Sequence, residues 1–150
     1  MTRRLVLDAN ILIRASLGSR VSLLILNAQQ TCGLFTPAIC LNDAERHLVH
    51  IAAHREIPLQ PPLRALHAAM RYIEVLDVDF MSMHRTLSLK LLRDADDWPV
   101  LAAAIALDAT IWSEDHDFFG IGVASVVCYN VELWLSNPEF GALSAKMADH

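Results

Sequence analysis

The stretch Leu5–Asn10, with the sequence LVLDAN, decides the fold of this chain. Its first three residues form an uninterrupted apolar run, which predicts a short β-strand buried on both faces. Asp8 ends that run, and a helical pattern begins at about Asn10. This order predicts a buried strand that passes directly into a helix, with Asp8 at the carboxyl end of the strand.

The same alternation continues along the rest of the chain. Further helices are predicted at about residues 10–30 with a break near Gly18, and at 41–54, 63–72, 79–92, 100–107 and 131–135. Further strands are predicted at 34–36, 73–76, 110–113 and 125–129. Alternating strands and helices predict an α/β fold, a three-layer α/β/α sandwich around a central, mostly parallel sheet.

Size and composition fit one domain. The chain has 150 residues, of which 54% are hydrophobic and 19% charged, enough to form a sizeable core. We expect the domain to cover residues 1–137 and a loose C-terminal tail to cover 138–150. Three widely spaced cysteines predict free core thiols in a reducing cytoplasm. No uncharged run reaches the ~18 residues that a membrane span needs, so no membrane association is expected.

The charge balance is not that of a strong nucleic-acid binder. The formal net charge is -5 and the sequence pI is about 5.7, whereas such binders are usually basic. If the substrate is RNA or DNA, metal ions and a local arginine cluster must offset the acidity. Candidates for that cluster are Arg14, Arg20, Arg46, Arg55 and Arg93.

Several acids lie where a parallel sheet would gather them. Asp8 follows the first strand, while Asp115 and Asp117 follow the strand that ends at Ser113. Asp97 lies at the start of an Ala-rich helix, where it could also be a simple helix cap. Because ligands of open α/β sheets bind at the carboxyl ends of the strands, these acids could share one site.

Glu45 is a further candidate because of its place on the helix predicted over 41–54. It lies four residues after Leu41 and three before Leu48, on or beside the apolar stripe. A carboxylate that faces a core is costly unless it is paired or bound to a metal. A set of carboxylate ligands suits Mg²⁺ or Mn²⁺ better than zinc.

Four segments together resemble the PIN-domain nucleases. The resemblance lies in Val6–Ile13 (VLDANILI), Asp43–Leu48 (DAERHL), Asp97 with the helix after it, and Thr110–Phe118 (TIWSEDHDF). It covers about residues 3–135. Each motif is weak alone, but their order and separations are similar to those of the family.

The resemblance implies a four-carboxylate site for Mg²⁺ or Mn²⁺, formed by Asp8, Glu45, Asp97 and Asp115. It implies hydrolysis of phosphodiester bonds, most often in RNA, without a covalent enzyme intermediate. Asn10 and Ser113 are expected to hold the carboxylates by hydrogen bonds. Three points stay open: whether Asp117 is an extra ligand or forms a turn, whether Asp96 replaces Asp97, and whether one metal ion or two bind.

Many PIN domains of this size are toxins of toxin–antitoxin pairs, which implies a homodimer and a small antitoxin partner. The alternative is a non-catalytic PIN-like protein that acts by binding a partner. Other Asp-rich enzymes fit less well. A haloacid-dehalogenase-type phosphatase needs a second Asp at the position of Asn10, and a receiver domain needs a late lysine that ends a strand.

Other conspicuous side chains have structural explanations. His47, His50 and His54 share a helix face well away from Glu45 and are expected to face solvent. His116 is expected in a surface loop. The tryptophans are expected in the core or at an interface, because base stacking needs exposed aromatic rings beside basic residues. They are Trp98, Trp112 and Trp134.

Overall fold

The computed structural model describes residues 2–92 and 95–136, and in it the first predicted strand lies at the centre of a five-stranded sheet. The strand order is β3-β2-β1-β4-β5, and each neighbouring pair is parallel. The strands are β1 (Arg3–Leu7), β2 (Cys32–Pro37), β3 (Glu74–Leu76), β4 (Thr110–Trp112) and β5 (Ser125–Val126). The predicted parallel sheet is confirmed.

Helices cover both faces of this sheet. One face packs against α1 (Ala9–Leu17), α2 (Ser19–Ala28), α3 (Ala38–His54), α4 (Gln60–Met70) and α8 (Val131–Ser136). The other face packs against α5 (Val78–Met81) and α7 (Trp98–Leu107), and α6 (Arg85–Leu91) packs on α7. The three-layer α/β/α sandwich is therefore confirmed.

The apolar run of β1 connects the two cores. Leu5 and Leu7 pack into the core beneath α1 and α3, while Val6 packs into the core beneath α7. All three side chains are fully buried. Because successive side chains of a strand point to opposite faces, the part of a strand that is covered by helices on both sides is apolar at successive positions.

Several element boundaries differ from the predictions. Helix α4 begins at Gln60, so Pro61 and Pro62 lie in its first turn instead of in a loop. Proline is tolerated there because the first N–H groups of a helix have no intrahelical partner. Helix α3 begins at Ala38, three residues before the predicted start at residue 41.

The helix predicted over 79–92 is interrupted. A 3-10 turn at Ser82–His84 separates α5 from α6. The Ser82 hydroxyl donates to the carbonyl of Asp79, and the Ser88 hydroxyl donates to that of His84. Such bonds compete with regular helical hydrogen bonding and bend helices. The tail predicted over 138–150 lies outside the described residues.

The connections create a crevice beside β1. The chain leaves β1 through α1 and α2 to reach β2 on one side, whereas β4 pairs with β1 on the other side. The strands that follow β1 in the chain are thus added on one side of it, and β4 and β5 on the other. In open α/β sheets, ligands bind at this switch point, beyond the carboxyl ends of the strands.

Cys32, Cys40 and Cys128 are buried free thiols, as predicted. No single helix among the described residues is long and apolar enough to cross a bilayer. Helices α1 and α2 reach that length only together, across a bend of 119°.

Candidate metal centre

Asp8 lies at the junction of β1 and β4. It is the N-cap of α1, and its Oδ1 accepts a hydrogen bond of 2.7 Å from the backbone N–H of Ala9. Its own N–H donates to the carbonyl of Trp112, at a distance of 3.1 Å. These two bonds fix the backbone on both sides of the carboxyl group, which is half-buried at the carboxyl edge of the sheet.

Asn10 and Ser113 hold the second oxygen of the same carboxylate. The Ser113 hydroxyl donates to Asp8 Oδ2 at 2.8 Å, and Asn10 Nδ2 approaches that oxygen to 3.3 Å. Asn10 Nδ2 also lies 3.2 Å from Ser113 Oγ. Hydrogen bonds to a carboxylate favour its charged form and fix its direction.

The same network shapes the turn after β4. Ser113 Oγ accepts from the N–H of Asp115 at 3.0 Å, and Asn10 Oδ1 accepts from the N–H of Glu114 at 3.2 Å. Asp115 Oδ1 in turn accepts from the N–H of Asp117 at 2.9 Å. Asp115 and Asp117 are therefore held together on one turn beside Asp8.

Asp97 completes a cluster with this turn. One carboxylate oxygen from each of Asp97, Asp115 and Asp117 lies within 4.8 Å of the other two. Opposite ligands of an octahedral Mg²⁺ ion are about 4.2 Å apart, given ligand distances of about 2.1 Å. Side-chain movements that draw these oxygens closer together would let this oxygen-only set hold Mg²⁺ or Mn²⁺. Asp96, the alternative third acid, is exposed.

Burial and the neighbouring negative charges both raise the pKa of Asp8. Burial raises the pKa of its carboxyl above the ordinary value of 3.8, and the charges of Asp115 and Asp43 raise it further. The hydrogen bonds from Ser113 and Ala9 act in the opposite direction without cancelling the rise. A divalent cation at this edge would relieve the repulsion and favour the ionised carboxylate.

Asp43 is a neighbour of this cluster that the sequence analysis did not select. Burial raises the pKa of the Cys40 thiol, and the charges of Asp8, Asp43 and Asp97 add to that rise. Cys40 Sγ lies 3.9 Å from Asp8 Oδ1. Asp43, half-buried and paired with Arg46, thus acts on the same groups as the other acids.

Glu45 is placed differently from the expectation. Its side chain is 43% exposed and its Oε1 lies 3.8 Å from Nε2 of His67 on α4. The structure thus brings Asp8, Asp97, Asp115 and Asp117 to one edge and directs Glu45 toward α4. The earlier start of α3 puts Asp43 in its second turn, three residues after the buried Cys40. That i,i+3 spacing was the signal that could have identified it.

The remaining side chains mostly follow the predictions. His47, His50, His54 and His116 are exposed, while Trp112 and Trp134 are buried. Trp98 is half-buried, and the Arg85 guanidinium lies 5.3 Å from the centre of its ring. Four of the candidate arginines are exposed, namely Arg14, Arg20, Arg46 and Arg55, and the fifth, Arg93, lies outside the described residues.

The fold and this edge define a class of protein: an α/β/α sandwich with a carboxylate cluster at the switch point of its sheet. A protein-family model described as "PIN domain" matches residues 6–136. The chain therefore belongs to the PIN domain family. No curated protein matches the sequence.

Solved structures share the fold at low sequence identity. VapBC2 from Rickettsia felis, solved bound to a DNA fragment from the promoter, has a TM-score of 0.65 and 14% identity, covering 83% of this chain and 98% of that one. PAE2754 from Pyrobaculum aerophilum has a TM-score of 0.66 and 13% identity, and the match covers 91% of this chain and 97% of that one. FitAcB from Neisseria gonorrhoeae has a TM-score of 0.57 and 17% identity, and the match covers 83% of this chain and 98% of that one. Identities this low show a common fold alone.

Proposed function

We propose that this protein is a divalent-metal-dependent endoribonuclease. The observation that carries the proposal is the cluster of Asp97, Asp115 and Asp117, whose oxygens approach within 4.8 Å beside the hydrogen-bonded Asp8. A divalent cation held between these carboxylates would offset the repulsion between their like charges. Membership of the PIN domain family supports the same reading.

The proposed ligands for Mg²⁺ or Mn²⁺ are Asp8, Asp97, Asp115 and Asp117. Asp43 replaces Glu45 as the acid that α3 supplies, because Asp43 acts on Asp8 while Glu45 lies against His67. The bound ion would lower the pKa of a water molecule and neutralise charge on the phosphate oxygens.

The protein residues supply position and orientation. Ser113 and Asn10 hold the Asp8 carboxylate in one orientation beside the turn that carries Asp115 and Asp117. The Asp115 N–H bond to Ser113 keeps the turn after β4 in register with Asp8. This preorganisation means that the carboxylates need little rearrangement when the metal and the scissile phosphate bind.

Hydrolysis of single-stranded RNA tests the proposal. With Mg²⁺ or Mn²⁺, the purified wild-type chain is expected to cut RNA internally, and a chelator is expected to stop it. Asp115→Asn should lose that activity with an unchanged circular dichroism spectrum. Equal cleavage by this variant, or cleavage in the presence of the chelator, would contradict the proposal.

We further propose that the protein acts in the cytoplasm as the toxin of a toxin–antitoxin pair, with a small DNA-binding antitoxin that covers the acidic edge. Two similar structures, VapBC2 and FitAB, were solved bound to DNA fragments. Co-expression supplies the test: the chain alone should arrest growth, and a neighbouring small protein should restore it. Growth unaffected by the chain alone would oppose the toxin role.

A homodimer is part of this proposal. Helices α5 and α6 carry large apolar side chains that are 37–58% exposed, an apolar surface that a second copy could bury. They are Val78, Phe80, Leu87, Leu89 and Leu91. Light scattering should then give twice the chain mass of 16.7 kDa, and Leu87→Asp should give the single mass.

A further inference from the structure

The loops after β4 and β5 carry exposed aromatic rings at the same edge of the sheet as the carboxylates. Tyr129 is 86% exposed and Phe119 is 46% exposed. His116 is exposed as well, and its ring packs edge-on against Phe119, with the centroids 5.0 Å apart. Because all strands of the sheet are parallel, loops that follow β4 and β5 emerge at this one edge.

A direct hydrogen bond ties the Tyr129 loop to the carboxylate turn. The backbone N–H of Cys128 donates to Oε1 of Glu114 at 2.7 Å, and Glu114 immediately precedes Asp115. Tyr129 therefore follows a residue that is bonded to the neighbour of a proposed metal ligand. The loop cannot move away from the acidic edge without losing this bond.

Tyr129 occupies the tip of a tight turn. The N–H of Asn130 donates to the carbonyl of Val127, and Asn130 Oδ1 accepts from the N–H of Val127. Turn tips usually carry Gly, Asn, Asp or Ser, which favour the turn geometry itself. The Tyr129 ring is the most exposed of the large apolar side chains among the described residues, so it contributes almost nothing to the core.

The polar groups near this ring suit a nucleic acid strand. Arg14 is exposed and lies close enough to Glu114 to act on it electrostatically, and the exposed His116 lies on the same turn, two residues after Glu114. Cations beside the turn can bind phosphate groups. A neutral base, by contrast, is not repelled by the acidic edge and can stack on an aromatic face.

We propose that Tyr129 is a stacking platform for an unpaired RNA base next to the scissile phosphate, so that the site selects single-stranded over duplex RNA. The inference rests on the proposed nuclease function and names its substrate class. In duplex RNA the bases are already stacked and paired, and the ring cannot reach a base face.

Binding of a short fluorescent oligoribonucleotide in the presence of Ca²⁺ tests the platform. Tyr129→Ala is expected to weaken single-strand binding about 5- to 150-fold, the range measured for loss of one base stack. Tyr129→Phe and Tyr129→Trp, which keep a stacking face, should stay within about threefold. The chain has one other tyrosine, Tyr72, which precedes β3 at the opposite edge of the sheet. Tyr72→Ala is therefore the matched control and should bind as the wild type does.

An abasic scan makes the readout specific to stacking. One abasic position should weaken wild-type binding as much as Tyr129→Ala does, and combining the two changes should add little. Unchanged binding by Tyr129→Ala, additive losses at every abasic position, or an equal loss with duplex RNA would overturn the inference. A surface that serves a protein partner instead of RNA would give the first of these results.

The two proposals fail in distinguishable ways. If the wild type cleaves RNA with Mn²⁺ but Tyr129→Ala binds and cleaves equally well, the nuclease function stands and the stacking role fails. If binding depends on Tyr129 but no metal supports cleavage, the nuclease function fails while the single-strand platform stands. If the wild type neither binds nor cleaves, both are wrong.

Discussion

The carboxyl edge between β1 and β4 contrasts with the outer surface of α3 and α4. At the edge, Asp8 is half-buried and held by the Ala9 N–H, Asn10 and Ser113. On the outer surface, Glu45 is 43% exposed and lies 3.8 Å from a histidine ring. From this difference we infer that the acid held by several hydrogen bonds is the functional one. A position beside an apolar helical stripe is a weaker sign.

The largest expected effect comes from removing a proposed ligand. Asp97→Asn should lower RNA cleavage by at least about 100-fold, more than the ~10- to 100-fold typical of residues that only support metal ligands. Initial rates at saturating Mn²⁺ measure the effect. Asp96→Asn is the matched control, and at an exposed position it should stay within about twofold. Equal losses in both variants would break the assignment to Asp97.

The hydroxyl of Ser113 should rank next. It donates to Asp8 and accepts from the Asp115 N–H, so Ser113→Ala releases both sides of the edge. We expect a fall of about 10- to 100-fold in Mn²⁺ affinity or cleavage rate. Ser113→Thr keeps the hydroxyl and should restore most of the activity. If threonine is as poor as alanine, packing at this buried position, and not the hydrogen bonds, is responsible.

The two acids of α3 provide a direct test of the contrast. Asp43→Asn should reduce cleavage about tenfold, because Asp43 acts on Asp8 from the same edge. Glu45→Gln removes a charge from a partly exposed pair and should change cleavage by no more than about twofold. The reverse order, with Glu45→Gln the more damaging, would restore Glu45 as the fourth ligand and contradict our reading of α3.

The smallest effect concerns stability without metal. Because the folded pKa of Asp8 lies above its ordinary value, the native state holds this proton to a higher pH than the unfolded chain does. The stability that Asp8 contributes is thus complete below about pH 3.8 and is lost as the pH rises through the folded pKa. Asp8→Asn escapes this loss and remains a good N-cap.

Thermal unfolding in the presence of a chelator tests whether the stability contributed by Asp8 falls as the pH rises. At neutral pH the metal-free Asp8→Asn variant should melt a few degrees above the wild type, and the difference should disappear toward the acid end of the range. Adding Mn²⁺ should reverse the order, since only the wild type then gains from binding. A metal-free variant that melts below the wild type at neutral pH would contradict the proposed repulsion.

Much of the fold was predictable because one signal is strong. An apolar run at every position of Leu5–Leu7 requires helices on both faces of the sheet, and both are present. Boundaries were less predictable. Proline occurs both in the loop before a helix and in the first turn of a helix. The sequence alone therefore could not show whether Pro61 and Pro62 lie in the loop or in α4.

The site was predictable as far as it depends on strand ends. Asp8 directly follows β1 and Asp115 lies three residues after the end of β4, and pairing of those strands brings the two acids to one edge. Asp43 was not selected from the sequence because its place beside the cluster depends on where α3 begins, three residues earlier than the apolar pattern indicated. The exposure of Tyr129 depends on β5 ending at Val126, whereas the predicted strand continued to residue 129.

Calorimetric titration with Mn²⁺ tests the central claim most directly, because it measures metal binding at the β1–β4 edge without any assumption about the RNA. Wild-type protein should bind Mn²⁺, and Asp115→Asn should lose that binding while Glu45→Gln keeps it. If the wild type binds no Mn²⁺, or if Asp115→Asn binds it as tightly as the wild type, the carboxylate edge is not the metal centre.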